Sequence, residues 1–200
     1  MLRERVSDDI YVFTSELYAQ VTAGAVVSTE GAVIIDTLPF PSETLEILDF
    51  VQKRLNVPVK YVVNTHYHAD HTYGTCFFTG AEVAAHSKCR DLLNTVGRKA
   101  LIQARADTSE LEKIDVILPS IIFTQGQIDL HLGKKTLTLM HSPGHSPDSI
   151  MVLVKEDRIL FAGDTMMPLP HFVDGDIDDL TRSLQAIPPL GLENIVQGHG

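Results

Sequence analysis

The sequence predicts a mixed α/β (α+β) chain in which one sheet packs on another and helices lie outside. Three observations carry this. Short apolar runs of strand-like composition alternate with helix-spaced runs in both halves of the chain. The 200 residues, 44% of them hydrophobic, fit one domain with a substantial core. No repeat, low-complexity tract or linker divides them, so residues 1–200 are expected to form a single domain.

Residues 10–13 and 25–28 read as short strands with a hairpin or loop over 15–22 between them. Residues 32–36 read as a buried strand ending in the carboxylate of Asp36, and Gly24 and Gly31 punctuate the series. Leu45, Leu48, Val51 and Leu55 recur at helical spacing, which predicts a helix over 42–55 with Ser42 as N-cap and Asn56 and Pro58 as its stop. A strand over 60–64 then delivers the chain to a histidine cluster. Beyond it a strand over 81–85, a helix over 87–104 with a basic exposed face, and a polar surface segment over 107–115 are expected. Residues 119–139 read as successive strands turning near Gln125-Gly126 and Gly133-Lys134, and 150–154 with 158–162 as a hairpin turning at Glu156-Asp157. A Pro- and aromatic-rich loop over 166–176 precedes a helix over 177–187, whose first turn holds Asp178 and Asp179, where the helix dipole favours them. Ile195-Val196 forms a last short strand.

Charge and hydropathy exclude some roles. Sixteen basic against twenty-six acidic residues give a net charge of −10, which disfavours general nucleic-acid binding. No run approaches the ~18 apolar residues of a membrane span, and Met1–Arg5 leads into no apolar signal region, so neither secretion nor membrane insertion is expected. Cys76 and Cys89 form no C-x-x-C pair; a disulfide between them stays open, but buried thiols in a reducing cytosol fit better. The expected location is cytoplasmic.

The chemistry concentrates in Thr65-His66-Tyr67-His68-Ala69-Asp70-His71. In an extended segment His66 and His68 share one side, Asp70 follows in phase, and His71 points elsewhere unless the chain turns. The two alternating histidines suit one metal, while Asp70 and His71 reach a second. Imidazole and carboxylate are donors for zinc, and also for iron or manganese. Three further apolar, strand-like runs end in a candidate donor: 137–140 before Ser142-Pro143-Gly144-His145, 159–162 before Gly163-Asp164, and 195–196 before Gly198-His199. Loops at strand ends are where a rigid sheet presents reactive groups to one cleft, and Gly144, Gly163 and Gly198 permit the tight turns this needs.

His66-x-His68-x-Asp70-His71, Pro143-Gly144-His145, Phe161-Ala162-Gly163-Asp164 and Gly198-His199 together resemble the metallo-β-lactamase superfamily of binuclear metallohydrolases, and Val33-Ile34-Ile35-Asp36 resembles a strand end of that family. The resemblance runs from about Ile10 to Gly200. It implies a four-layer αββα sandwich with the metal site at the sheet edge. Position by position, it assigns His66, His68 and His145 to one metal, Asp70, His71 and His199 to the other, and Asp164 to a bridge between them. It implies two Zn2+ ions (Fe or Mn being possible substitutes), about 3.5–4 Å apart, sharing a hydroxide generated near neutral pH. Asp70 would also orient that nucleophile, making it the expected catalytic carboxylate. Asp36 is expected either to fix the histidine loop by hydrogen bonds or to serve as a plain strand-end cap.

His71, and Asp164 in place of a cysteine, resemble the hydrolase branches more than the cysteine-ligated β-lactamases. Members usually continue past the point corresponding to Gly200, and glyoxalase-II-like enzymes carry a helical glutathione-binding extension; the expectation here is either a minimal or truncated chain or further residues beyond those of this sequence. The implied activity is hydrolysis of a small ester, thioester, lactone or related acyl substrate. Phosphodiester, nucleic-acid or β-lactam hydrolysis, or iron-dependent redox chemistry, are the alternatives on the same donors. Among the other histidines, His86 and His131 read as structural or exposed and His141 as shaping the turn before His145. His171 reads as a rim residue able to donate a proton or touch substrate. Tyr18, Tyr73, Met166 and Phe172 are pocket candidates that apolar packing explains equally well. A small-molecule substrate is the expected partner; oligomeric state is not legible.

Overall fold

The structure, a computed structural model, describes residues 1–172 and 174–200. The described residues form two sheets. The first contains β1 (Leu2–Ser7), β2 (Ile10–Thr14), β3 (Thr22–Ser28), β4 (Gly31–Ile35), β5 (Val59–Val63), β6 (Glu82–His86) and β7 (Ile121–Phe123) in that order. The second runs β12 (Asn194–Gln197), β11 (Ile159–Gly163), β10 (Ile150–Val154), β9 (Lys135–His141), β8 (Gln127–Leu132). Each sheet is part meander and part parallel: β4, β5, β6 and β7 are successive parallel neighbours, and β11 is parallel to β12.

Period-2 alternation builds the layers. In β4, Val33 and Ile35 face the second sheet, whereas Ala32 and Ile34 face outward under a helix. In β10, Ile150, Val152 and Val154 join the inter-sheet core while Met151 packs on the outer side with Ile187. The helices cover the outer faces, giving the αββα sandwich that the resemblance implies.

α1 (Pro41–Asp49) lies on the first sheet, burying Thr44 and Ile47, and runs on through a π turn at Phe50–Arg54 that buries both Phe50 and Val51. Two expectations are corrected here. Phe40 rather than Ser42 is the N-cap, because Pro41 at the first helical position needs no amide hydrogen. Leu45 is exposed, since the buried face follows Ile47 and Phe50 instead. Asn56 ends the helix at φ 55°. The single helix expected over 87–104 is continuous but composite: α3 (Ser87–Leu92), a π turn (Leu93–Gly97) and α4 (Arg98–Asp107), anchored by Cys89, Leu93 and Leu101. The segment expected as a polar surface stretch contains a 3-10 turn, Ser109–Lys113, and buries Leu111 and Ile114 beside Tyr73. α5 (Ile177–Gln185) starts at Asp176, whose carboxylate accepts from the amides of Asp178 and Asp179, both at 2.9 Å. β1 had no counterpart in the sequence reading. Cys76 and Cys89 are free thiols, and among the described residues no helix is long and apolar enough to cross a membrane.

Parallel pairing sets up the site. β4 and β5 end side by side, with Asp36 N donating to Val63 O at 2.9 Å, and β11 and β12 end together on the other sheet. The two sheets are tied at this edge by Ile150 N donating to Thr65 O at 2.8 Å and Thr22 N donating to Gly198 O at 2.9 Å. Gly144, at φ 145°, packs directly on the Leu180 backbone where α5 begins, so a Cβ there has no room. Gly144→Ala is therefore expected to destabilise the protein by about 2 kcal/mol or more. Gly126→Ala, in an open turn at φ 69°, should cost only about 1 kcal/mol; urea denaturation of the two variants measures the difference.

Candidate metal centre

His66 follows β5 in an extended stretch that continues to His68 (φ −61°, ψ 149°); the chain then turns into a short helix, α2 (Ala69–Thr72). Asp70 and His71 therefore ride on a helical turn, which corrects the expectation that Asp70 continues the extended phase. The turn lets one short segment contribute to two groups of donors. His145 follows β9, Asp164 follows β11 and His199 follows β12. Side-chain donor atoms of His66, His68, His145 and Asp164 lie within 4.8 Å of one another, as do those of Asp70, His71 and His199. Asp164 touches both groups: Oδ1 lies 3.2 Å from His71 Nε2, and Oδ2 lies 3.3 Å from His145 Nε2 and 3.5 Å from His199 Nε2. Gly198 makes room for this carboxylate, since a Cβ there would collide with Asp164 Oδ1.

Each of these five histidines spends its outer ring nitrogen on an acceptor, which fixes its tautomer. His71 Nδ1–H donates to Asp36 Oδ2 at 2.9 Å, His145 Nδ1–H to the His171 carbonyl at 2.8 Å and His199 Nδ1–H to the Ala19 carbonyl at 2.9 Å. Thr65 gives its hydroxyl hydrogen to Asp36 Oδ2 at 2.7 Å, so it accepts from His66 Nδ1–H at 3.1 Å. His68 uses the opposite tautomer, with Nε2–H donating to Asp174 Oδ2 at 3.3 Å. At His66, His68 and His145 the inner nitrogens are thereby left as bare acceptors that face one another: His68 Nδ1 is 3.0 Å from both His66 Nε2 and His145 Nε2. His71 Nε2 and Asp164 Oδ1 are buried without a hydrogen-bond partner. Lone pairs pointed at lone pairs in a buried place call for a cation between them. The residues thus fit a metal, with nitrogen and carboxylate donors suited to zinc, iron or manganese.

The electrostatics divide the two groups: His66 and His145 disfavour a proton, whereas His71 and His199 favour one that a metal would displace. Burial pushes the His66 imidazolium well down, with His71 adding repulsion, so a proton is disfavoured there. His145 is likewise lowered, chiefly by burial. Burial would also lower His71, but the Asp164, Asp70 and Asp36 carboxylates outweigh it and favour positive charge at that ring. His199 rises to about 9, because hydrogen bonds with Asp164 and Asp70 overcome burial. Burial alone would raise Asp164 and Asp70; His71 and the hydrogen-bonding His199 hold both carboxyls below the usual range.

The site opens into a cleft of about 660 Å³. Tyr18, Tyr73 and His171 line it, as do Leu93, Val96 and Ala100 on one wall and Met167, Pro168 and Leu169 on another. Phe172 is exposed and Met166 packs against Ala162 and Ile187; neither is part of the cleft lining. The sequence reading missed Thr65 and Asp174, and the role of Tyr67, whose hydroxyl donates to Asp174. His131 is exposed. His141 holds the turn before His145 by donating from Nε2 to Pro147 O at 3.1 Å.

The metallo-beta-lactamase superfamily profile matches residues 18–199, and the chain belongs to that family. Among curated relatives, it is 27% identical to a hydroxyacylglutathione hydrolase of Methylococcus capsulatus, over 98% of this chain and 64% of that protein. It is 32% identical to acyl-coenzyme A thioesterase MBLAC2 of Gallus gallus, over 68% of this chain and 55% of that one. The chain thus spans roughly half to two thirds of the length of these relatives. A metallo-beta-lactamase from Pontibacter korlensis superposes with a TM-score of 0.80 at 23% identity, covering 100% of this chain and 91% of that chain, which shows the shared fold.

Two outcomes follow. Asp36 holds three hydrogen bonds that fix Thr65 and His71, so Asp36→Ala should destabilise the protein by about 3 kcal/mol or more in chemical denaturation. Buried His86 stacks on His141 with ring centroids 4.0 Å apart, and its pKa falls from 6.5 to about 4 through burial and His141. The unfolded chain then binds more protons between these values, so this ring's contribution to stability is lost as pH drops from about 6.5 toward 4. Melting curves of His86→Gln should show a shallower loss over that window than the parent protein.

Proposed function

We propose that this chain is a dinuclear metal-dependent hydrolase, with zinc the native metal, acting on a small ester, thioester, lactone or related acyl substrate. The observation that carries it is the set of five histidines whose outer nitrogens are occupied and whose inner nitrogens converge with Asp70 and Asp164 at the floor of an apolar cleft. His66, His68 and His145 would hold one metal, Asp70, His71 and His199 the second, and Asp164 both. When bound, such a pair supplies Lewis acidity toward a carbonyl oxygen and makes water nucleophilic near neutral pH.

The chain's own residues do the rest. Asp70, kept ionised by His71 and His199, accepts a hydrogen bond from the attacking water and sets its direction. His171, which lines the cleft, would donate a proton to a departing alcohol or thiol, or touch the substrate. Leu93, Val96 and Leu169 give the cleft an apolar lining that would take up an uncharged acyl group, which favours acyl over phosphodiester substrates. The names of the two relatives point toward thioesters. Residues 1–200, folded around one inter-sheet core, act as the domain that carries the site.

Elemental analysis of protein purified without chelator should find close to two zinc per chain, and a panel of small esters and thioesters should be hydrolysed. Chelation should abolish turnover and added zinc restore it. His68→Ala and Asp164→Ala should each eliminate metal-dependent turnover while far-UV circular dichroism stays unchanged; full turnover in both variants would overturn the proposal.

A further inference from the structure

The segment between β11 and α5 reaches the convergent histidines from outside at two points. Asp174 Oδ2 accepts from His68 Nε2–H at 3.3 Å and from the Tyr67 hydroxyl. Three residues earlier, the His171 carbonyl accepts from His145 Nδ1–H at 2.8 Å. Asp176 is seated on the His145 turn, its N donating to Gly144 O at 2.8 Å. Gly175 lies so close to the Gly144 and His145 carbonyls that a Cβ would overlap them.

His68 is the member of the cluster that most needs such help. Its side chain is 19% exposed and that of His199 18%, against 1%, 0% and 2% for His66, His71 and His145. It alone turns Nδ1 inward, with Nε2 on the outside. A neutral imidazole near solvent exchanges freely between its two tautomers, and only one of them leaves Nδ1 bare. A carboxylate on the outer N–H selects that tautomer, fixes the ring plane and increases the basicity of the inner nitrogen. Tyr67 holds the carboxylate in place from the residue next to His68, so the pair forms a closed local unit.

We infer that Asp174 is a positioning residue of the metal centre, fixing the tautomer and orientation that present His68 Nδ1 to the cation. The inference rests on the metal-centre reading above. Because Asp174 belongs to the stretch that also supplies Met167, Pro168 and Leu169 to the cleft wall, it ties the wall that contacts substrate to the histidine that contacts metal.

The test is equilibrium zinc binding to the full chain by competition with a chromophoric chelator, together with melting of the metal-free protein. Asp174→Ala should weaken zinc binding by roughly 10- to 100-fold and leave the metal-free melting temperature unchanged. Asp174→Asn keeps an acceptor oxygen for His68 and should recover part of the loss. An Asp174→Ala affinity within about twofold of the parent, no recovery in Asp174→Asn, or a parallel fall in metal-free melting temperature overturns the inference while leaving the metal centre standing. Absence of zinc binding by the parent chain overturns both.

Discussion

One buried carboxylate organises the site. Asp36, 3% exposed at the end of β4, accepts from the Thr65 amide at 2.8 Å, the Thr65 hydroxyl at 2.7 Å and His71 Nδ1–H at 2.9 Å. Residues 65 and 71 bracket the histidine stretch, so this single side chain pins both of its ends. The Thr65 hydroxyl relays the hold to His66. Burying a carboxylate is costly unless its lone pairs are filled by strong donors, and three donors on one side chain meet that condition. The backbone at Asp36 sits at φ 54°, a region that aspartate enters more readily than most residues. Strain, burial and hydrogen bonding at one position are thus resolved together by the geometry that aligns β4 with β5.

What the chain reveals before folding follows from what is local. Strand alternation and the His66-x-His68 spacing are properties of a few consecutive residues, and the sheet-on-sheet class was legible from them; the four-layer sandwich and the grouping of the distant donors came from the family resemblance. β1 was not, because Leu2–Ser7 is mostly exposed and carries little burial pattern. The π turns were not, because the extra residue at Phe50–Arg54 answers to packing against the sheet, a contact with strands far away in sequence. The helical placement of Asp70 and His71 was hidden by reading the extended phase one step too far. Asp174 illustrates the hardest case: a polar residue in a polar stretch looks the same whether it faces water or a histidine 106 residues away.

The pattern of tautomers changes how the site should be understood energetically. Five outward hydrogen bonds, to Thr65, Asp174, Asp36, His171 and Ala19, are ordinary stabilising contacts and would form in any well-packed fold. Their joint consequence is unfavourable, since they set bare acceptors against one another, His68 Nδ1 lying 3.0 Å from both His66 Nε2 and His145 Nε2. The fold therefore sets its favourable outer contacts against an inner repulsion that a cation removes. His71 Nε2 and Asp164 Oδ1, buried without a hydrogen-bond partner, are two further polar atoms that a cation would satisfy. A group that binds the folded chain alone adds its binding free energy to folding stability. By this argument the metal would be a structural element as well as a reagent, and the outer acceptors, Asp36 and Asp174 foremost, would convert folding energy into affinity at the floor of the cleft.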